Sequence, residues 1–355
     1  MPTSSTDPGR VDLSLWAKSG GMAAGWSKLN VPMHPTEESM MKRSPAASGG
    51  IVLVALGAAL WGTDAVFRRG LALELPATTL VYLEHVVLVA LTAPLLWRSR
   101  DQYRRLGRAD WLAVLVVGAG ASALATVMFT AAFQYGDPTT PLLLQKVQPL
   151  IAIGAAALIL GERLLPRFAW FLVGGVVGAY LVAFADPADV SITALVPALL
   201  ALGAATFWGL GTVLGRHLMS KISFTALTAL RFAVALPVLA VVLLVRSGES
   251  LLPVVSAADM GAVVLLALVP GLAALLLYYQ GLRSTPASAA TLAELAFPLS
   301  AVGFNYLVFD TVLTGTQWVG MTLLAATITT MTWLSQRGRD RGIGVQVPEP
   351  ALSEA

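Results

Sequence analysis

Continuous runs of about twenty apolar residues, the length that crosses a bilayer core as a helix, recur along most of this chain with short polar connections between them. In hydrocarbon a backbone has to satisfy its own hydrogen bonds, which such a run does by coiling into a helix. The pattern therefore predicts an all-α polytopic membrane protein. Composition agrees: 12% of residues are charged, against about 25% in ordinary soluble domains. Ten spans are predicted, at roughly 51–69, 77–97, 111–134, 141–160, 167–185, 192–215, 222–245, 260–281, 286–309 and 315–335.

Before the first span, residues 1–49 are polar and rich in Ser, Pro and Gly, with no apolar core like that of a signal peptide. They read as a disordered cytoplasmic tail, and Lys42 and Arg43 directly ahead of the first span point to Met40 or Met41 as the start of translation. Residues 337–355 read as a second cytoplasmic tail. With the N-terminus inside, 18 of the 23 Lys and Arg residues fall on the inner side. That asymmetry predicts both termini in the cytoplasm and a multi-pass protein of the inner (plasma) membrane. Arg68, Arg69 and Arg246 fall on the outer side, and Lys146 and Arg231 are intramembrane.

The chain repeats itself. Gly57-Ala58-Ala59-Leu60-Trp61-Gly62 recurs as Gly203-Ala204-Ala205-Thr206-Phe207-Trp208-Gly209. The same offset carries Glu84 onto Arg231, and within two residues of it Pro149 matches Pro298, and Gly161-Glu162 with Trp170 matches Phe309-Asp310 with Trp318. Each repeat, 50–186 and 187–336, holds five predicted spans, and an odd number forces the two into opposite orientations. Inverted repeats are the plan of secondary transporters, whose solute site lies near the bilayer midplane between the halves.

Candidate site residues follow from charge in the wrong solvent. Leu142 to Pro149 places Gln145, Lys146 and Gln148 inside an otherwise apolar span, and an ionisable group at that depth persists where it faces a protein interior or cavity and has a partner. Pro149 has no N–H for the carbonyl of Gln145, nor Pro298 for that of Glu294, so an open backbone acceptor is expected beside a polar side chain in both halves. Depth along the helices predicts two ion pairs, Glu84 with Lys146 and Arg231 with Glu294. Glu294, Pro298, Ala301 and Asn305, with Thr291 beside them, form a polar track. Trp61, Trp208, Tyr82, Phe232, Tyr278 and Tyr279 are candidates to line a cavity for flat solutes, although packing is the commoner role of such residues. Asp64 reads as a solvated helix end and His85 as a neutral, hydrogen-bonded helix residue. Two roles stay open for the charged groups: stapling helices together, or touching and gating substrate.

With the Trp-Gly signature in the first helix of each half, Arg231-Phe232, the Pro149 and Pro298 helices and Leu160-Gly161-Glu162 closing span four, the chain resembles the drug/metabolite transporter superfamily, specifically proteins with two tandem EamA-type domains. The resemblance covers about residues 50–336. It implies a ten-helix bundle, solute transport that is often export, and a central cavity lined mainly by spans one to four and six to nine. This sequence departs from the family pattern at Glu84, where arginine is frequent, at Asp310 in place of the second-half glutamate, and in its Gln-Lys-Val-Gln run.

No phosphate-binding loop, His-Glu-x-x-His pair or Gly-x-Ser-x-Gly elbow occurs, and there is no cysteine. The reading is a secondary active transporter, most simply an exporter, of small organic metabolites or drugs, and not an enzyme. No cofactor, metal or nucleic acid is expected. The expected partners are a small-molecule solute, a proton as candidate co-substrate and the lipid bilayer, with a monomer or homodimer as the assembly. The candidate substrate-binding or gating residues are Gln145, Lys146, Gln148, Glu294, Glu84, Arg231, Asn305, Trp61 and Trp208. The rivals are a proton-independent facilitator and a non-transporting membrane subunit.

Overall fold

The computed structural model describes residues 45–135, 138–160, 168–188, 192–247, 251, 253–282 and 293–340. The N-terminal tail with its expected start, Gly161-Glu162, Thr291, the side chain of Tyr279 and residues 341–355 lie outside that set. What is described is an all-α membrane protein. Seven helical stretches among these residues are long and apolar enough to cross a bilayer. The other predicted spans correspond to Phe168–Ala183 and Ala296–Phe309, which are shorter, and to Gly315–Asp340, which is long but rich in threonine. Large apolar side chains such as Leu158, Trp170, Val245 and Leu307 point outward, as lipid rather than water requires.

In chain order the helices are α1 (Pro45–Trp61), α2 (Asp64–Glu74), α3 (Ala77–Arg98), α4 (Arg100–Tyr103), α5 (Arg108–Leu115), α6 (Ala125–Ala132), α7 (Thr139–Leu144), α8 (Gln148–Leu160), α9 (Phe168–Ala183), α10 (Ile192–Met219), α11 (Phe224–Val242), α12 (Ala257–Leu266), α13 (Ala274–Leu282), α14 (Ala296–Phe309) and α15 (Gly315–Asp340). Several are segments of one interrupted rod. Wide π-helical turns, Val116–Leu124 and Ala267–Ala273, join α5 to α6 and α12 to α13. A 3₁₀ turn, Gln145–Val147, joins α7 to α8 just ahead of Pro149. Broken spans of this kind survive at membrane depth where neighbouring helices, not lipid, cover the irregular backbone. Among the described residues the two π-helical turns correspond across the halves, whereas the break between α1 and α2 has no counterpart in the continuous α10.

Helix contacts interleave the two halves. α1 packs on α13, α3 on α11, α10 on α6 and α8, α14 on α1, and α9 on α15. Exchanging each first-half element for its second-half counterpart maps this set of pairings onto itself. Gly62 shows why a small residue sits at one crossing: a Cβ there would lie 2.0 Å from Ser300 Oγ and 2.7 Å from the backbone N of Ala301. Ser300 Oγ also donates to the Ala59 carbonyl at 3.0 Å, so α14 lies directly on the end of α1. Gly174 and Gly178 of α9 meet Thr327, Leu324 and Gly320 of α15, so this small-residue pair serves packing within the chain.

Candidate functional site

Lys146 and Glu294 line one small cavity between the α7–α8 break, the start of α14 and the middle of α15, with Pro149, Pro298, Met321 and Thr329 among its walls. Its volume is about 40 Å³, which holds roughly three waters. Lys146 Nζ stands 4.3 Å from the centroid of the Phe297 ring, and Glu294 is the carboxylate whose charge acts on it. Glu294 also receives the hydroxyl of Tyr278, and the Tyr278 ring lies 5.0 Å from Trp61. A connected polar and aromatic chain thus runs Lys146, Glu294, Tyr278, Trp61, drawing on both halves.

This pairing corrects the expectation that Glu84 neutralises Lys146. Glu84 is held by Arg68 instead: Arg68 Nη1 donates to Glu84 Oε2 at 3.0 Å and Nη2 to Oε1 at 3.2 Å. The same guanidinium bonds Asp64 through Nε at 2.6 Å and Nη2 at 3.0 Å, and Thr130 Oγ1 at 2.8 Å. Arg68 and Glu84 are 3% and 4% exposed, so Arg68 is not the outer-side cation that its position at the end of the first span suggested. Asp64 is likewise no solvated helix end, its side chain being 14% exposed. The physical reason is the break after Trp61-Gly62. It starts a second helix, α2, which carries Asp64 and Arg68 four residues apart on one face and turns them toward α3 and α6. That i,i+4 acid–base spacing was the available signal.

The open carbonyls expected ahead of the two prolines are not open. Gln148 N donates to the Gln145 carbonyl, and Phe297 N donates to the Glu294 carbonyl at 3.0 Å. In each half the residue just before the proline closes an i→i+3 bond, so the missing proline N–H is answered by a local 3₁₀ tightening. The backbone turn that results is what aims Lys146 and Glu294 at the shared cavity.

Other candidates fall elsewhere. Gln148 Nε2 donates to Thr212 Oγ1 of α10 at 3.2 Å, and Gln145 is half-buried in the 3₁₀ turn. Arg231 Nε donates to Ser122 Oγ in the first π-helical turn at 2.6 Å, while Glu294 has Tyr278 and Lys146 for neighbours in place of the expected Arg231. Asn305 is fully buried and donates to Thr139 Oγ1 at 2.9 Å, with its carbonyl oxygen unpaired among the described residues. Trp208 packs edge-on to Phe129 at 5.1 Å, and Phe129 in turn lies beneath Arg68. His85 is buried, with Nδ1 2.9 Å from the Val81 carbonyl and its ring edge-on to Phe232.

Sequence reasoning missed a second polar cluster, between the connection after α3 and the α10–α11 turn. Asp110 accepts from Lys221 Nζ at 2.6 and 2.8 Å, lies 3.0 Å from His217 Nε2, and accepts the Gly107 N–H at 2.8 Å. Ser223 N donates to Gln102 Oε1 at 2.6 Å, and Tyr103 donates its hydroxyl to the Ala226 carbonyl at 3.1 Å. Burial pushes the Tyr103 hydroxyl above the ordinary tyrosine range, which keeps it a donor. These bonds join the first half to the second at one end of the bundle.

Comparison with known proteins agrees with this architecture. The description "EamA-like transporter family" matches twice, at residues 48–184 and 195–333. A protein described as "Riboflavin transporter ImpX", from Fusobacterium nucleatum, is 31% identical over 286 residues, covering 79% of this chain and 96% of its own length. "Uncharacterized transporter YwfM" of Bacillus subtilis is 27% identical over 283 residues, covering 77% of this chain and 90% of its own. A crystal structure titled only "Crystal structure of protein" superposes with a TM-score of 0.56 over 82% of this chain and 98% of the other, at 20% identity, which speaks to fold alone. Matched along both halves and carrying paired helix breaks at corresponding places, the chain belongs to the EamA-like transporter family.

Proposed function

We propose that this protein is a secondary active transporter that exports small organic solutes across the inner membrane by alternating access, built as ten transmembrane helices in two inverted five-helix repeats with both termini in the cytoplasm. The observation that carries the reading is the meeting of Lys146 and Glu294, one from each family match, at two proline-broken helices around one cavity. The exchange symmetry of the helix pairings and the paired π-helical turns support the repeat plan. At about 40 Å³ the cavity has room for a few waters, so solute entry has to widen it.

Substrate class follows from the walls. The cation and carboxylate of the lining, with the Phe297, Tyr278 and Trp61 rings linked to them behind it, suit a flat heteroaromatic solute with hydrogen-bonding edges. Riboflavin, named for the Fusobacterium relative, is such a molecule and is the first to test. Purified protein in proteoliposomes is expected to exchange labelled riboflavin or a related ring solute. Lys146→Ala and Glu294→Gln each remove one of the two charges that line the cavity and are expected to cut the rate about tenfold or more. Unchanged exchange in both variants overturns the site. Collapsing the pH gradient separates a coupled carrier from a facilitator, and exchange of no solute from a metabolite mixture favours a non-transporting subunit.

A further inference from the structure

We propose that residues 98–108, the connection between α3 and α5, bind the anionic headgroups of phospholipids in the adjacent leaflet through a fixed arginine face. The segment carries Arg98, Arg100, Arg104, Arg105 and Arg108 and no lysine. All five are exposed. The acids in the stretch are Asp101, which bonds Arg104 at 3.2 Å on the surface, and, just beyond it, Asp110, which faces inward. A surplus of positive charge is left on one side.

The opposite side is occupied. Ser99 and Leu106 are buried, Gln102 accepts from Ser223 N, and Tyr103 donates to Ala226. In this conformation these bonds hold the arginines on the outward side. Its height relative to the bilayer is marked by two tryptophans that bracket it, Trp97 at 71% and Trp111 at 43% exposure, since exposed tryptophans at span ends sit at headgroup level. Arg100 lies over the Trp97 ring at 5.1 Å, which holds one guanidinium at that depth. Guanidinium groups form planar two-point bonds with phosphate where an ammonium offers a point charge. A charge bias that served topology alone would not need this geometry.

Which leaflet this is rests on the topology proposed above, but headgroup binding is measurable without it. Full-length protein in neutral detergent is titrated with phosphatidylglycerol or phosphatidylcholine, and bound lipid is counted by native mass spectrometry. The wild type is expected to retain phosphatidylglycerol and little phosphatidylcholine. With each arginine near a surface contributing about a fivefold effect, Arg100→Gln/Arg104→Gln/Arg105→Gln is expected to bind about a hundredfold more weakly. The corresponding triple Lys variant keeps the charge and is expected to fall between. Retention by the Gln variant equal to the wild type overturns the proposal, as does inorganic phosphate displacing the lipid at equal concentration, which would mark a soluble-anion site. Neither result bears on solute exchange, which is read separately in proteoliposomes.

Discussion

At the scale of single residues, the buried charges divide by how fully they are satisfied. Arg68 is ringed by two carboxylates and a threonine, an arrangement that suits a staple between helices. Lys146 has an aromatic face and a carboxylate, and it also borders a cavity into which a solute could come. Arg68→Leu would leave Asp64 and Glu84 facing each other in the interior, and removing one member of a buried pair costs about 3–5 kcal/mol. Asp64→Asn keeps the Arg68–Glu84 bonds and is expected to cost far less. Thermal unfolding of the two variants in detergent, followed by intrinsic fluorescence, checks the order, and equal losses would contradict it. The sequence announced that Glu84, Lys146, Arg231 and Glu294 were unusual, because charge in an apolar run is visible without a fold. It did not announce partners, since pairing depends on how each helix is rotated and on the break after Gly62. A residue placed by position at the outer surface, Arg68, turned out to be the partner of Glu84.

At the scale of elements, interruptions matter more than lengths. The long apolar stretches were readable from hydrophobicity alone, and so was proline as a disturbance in two of them. The response of the backbone was not. Both prolines are preceded by an i→i+3 bond, Gln148 to Gln145 and Phe297 to Glu294, so the expected open acceptors are consumed locally. The π-helical turns leave no mark in composition, because Val116–Leu124 and Ala267–Ala273 are as apolar as the helices around them. Pro149→Ala would restore an N–H for the Gln145 carbonyl and remove a ring clash that costs a regular helix about 3 kcal/mol. Straightening the break turns Lys146 away from Glu294. Melting temperature is therefore expected to hold or rise while solute exchange falls steeply, the opposite of what a purely structural proline would give. Measuring both on one preparation decides it.

At the scale of the molecule, cross-half bonds stand at both ends of the bundle. One set joins Asp110, Gln102 and Tyr103 to Lys221, Ser223 and Ala226; the other joins Asn305 to Thr139. In the inverted topology proposed here the first set is cytoplasmic and the second external. Alternating access requires that one set break while the other holds. The cytoplasmic set is mostly exposed at its second-half side and uses side chains bonding a turn, which is cheap to open. The native chain has no cysteine, so Gln102→Cys with Ser223→Cys can be joined by a short, cleavable thiol cross-linker without background reaction. Exchange is expected to stop when the cross-link forms and to return when it is cleaved, while either single variant treated the same way keeps its rate. A cross-linked double variant that still exchanged solute would show that these two segments stay together throughout the cycle, and the moving boundary would then have to lie elsewhere in the bundle.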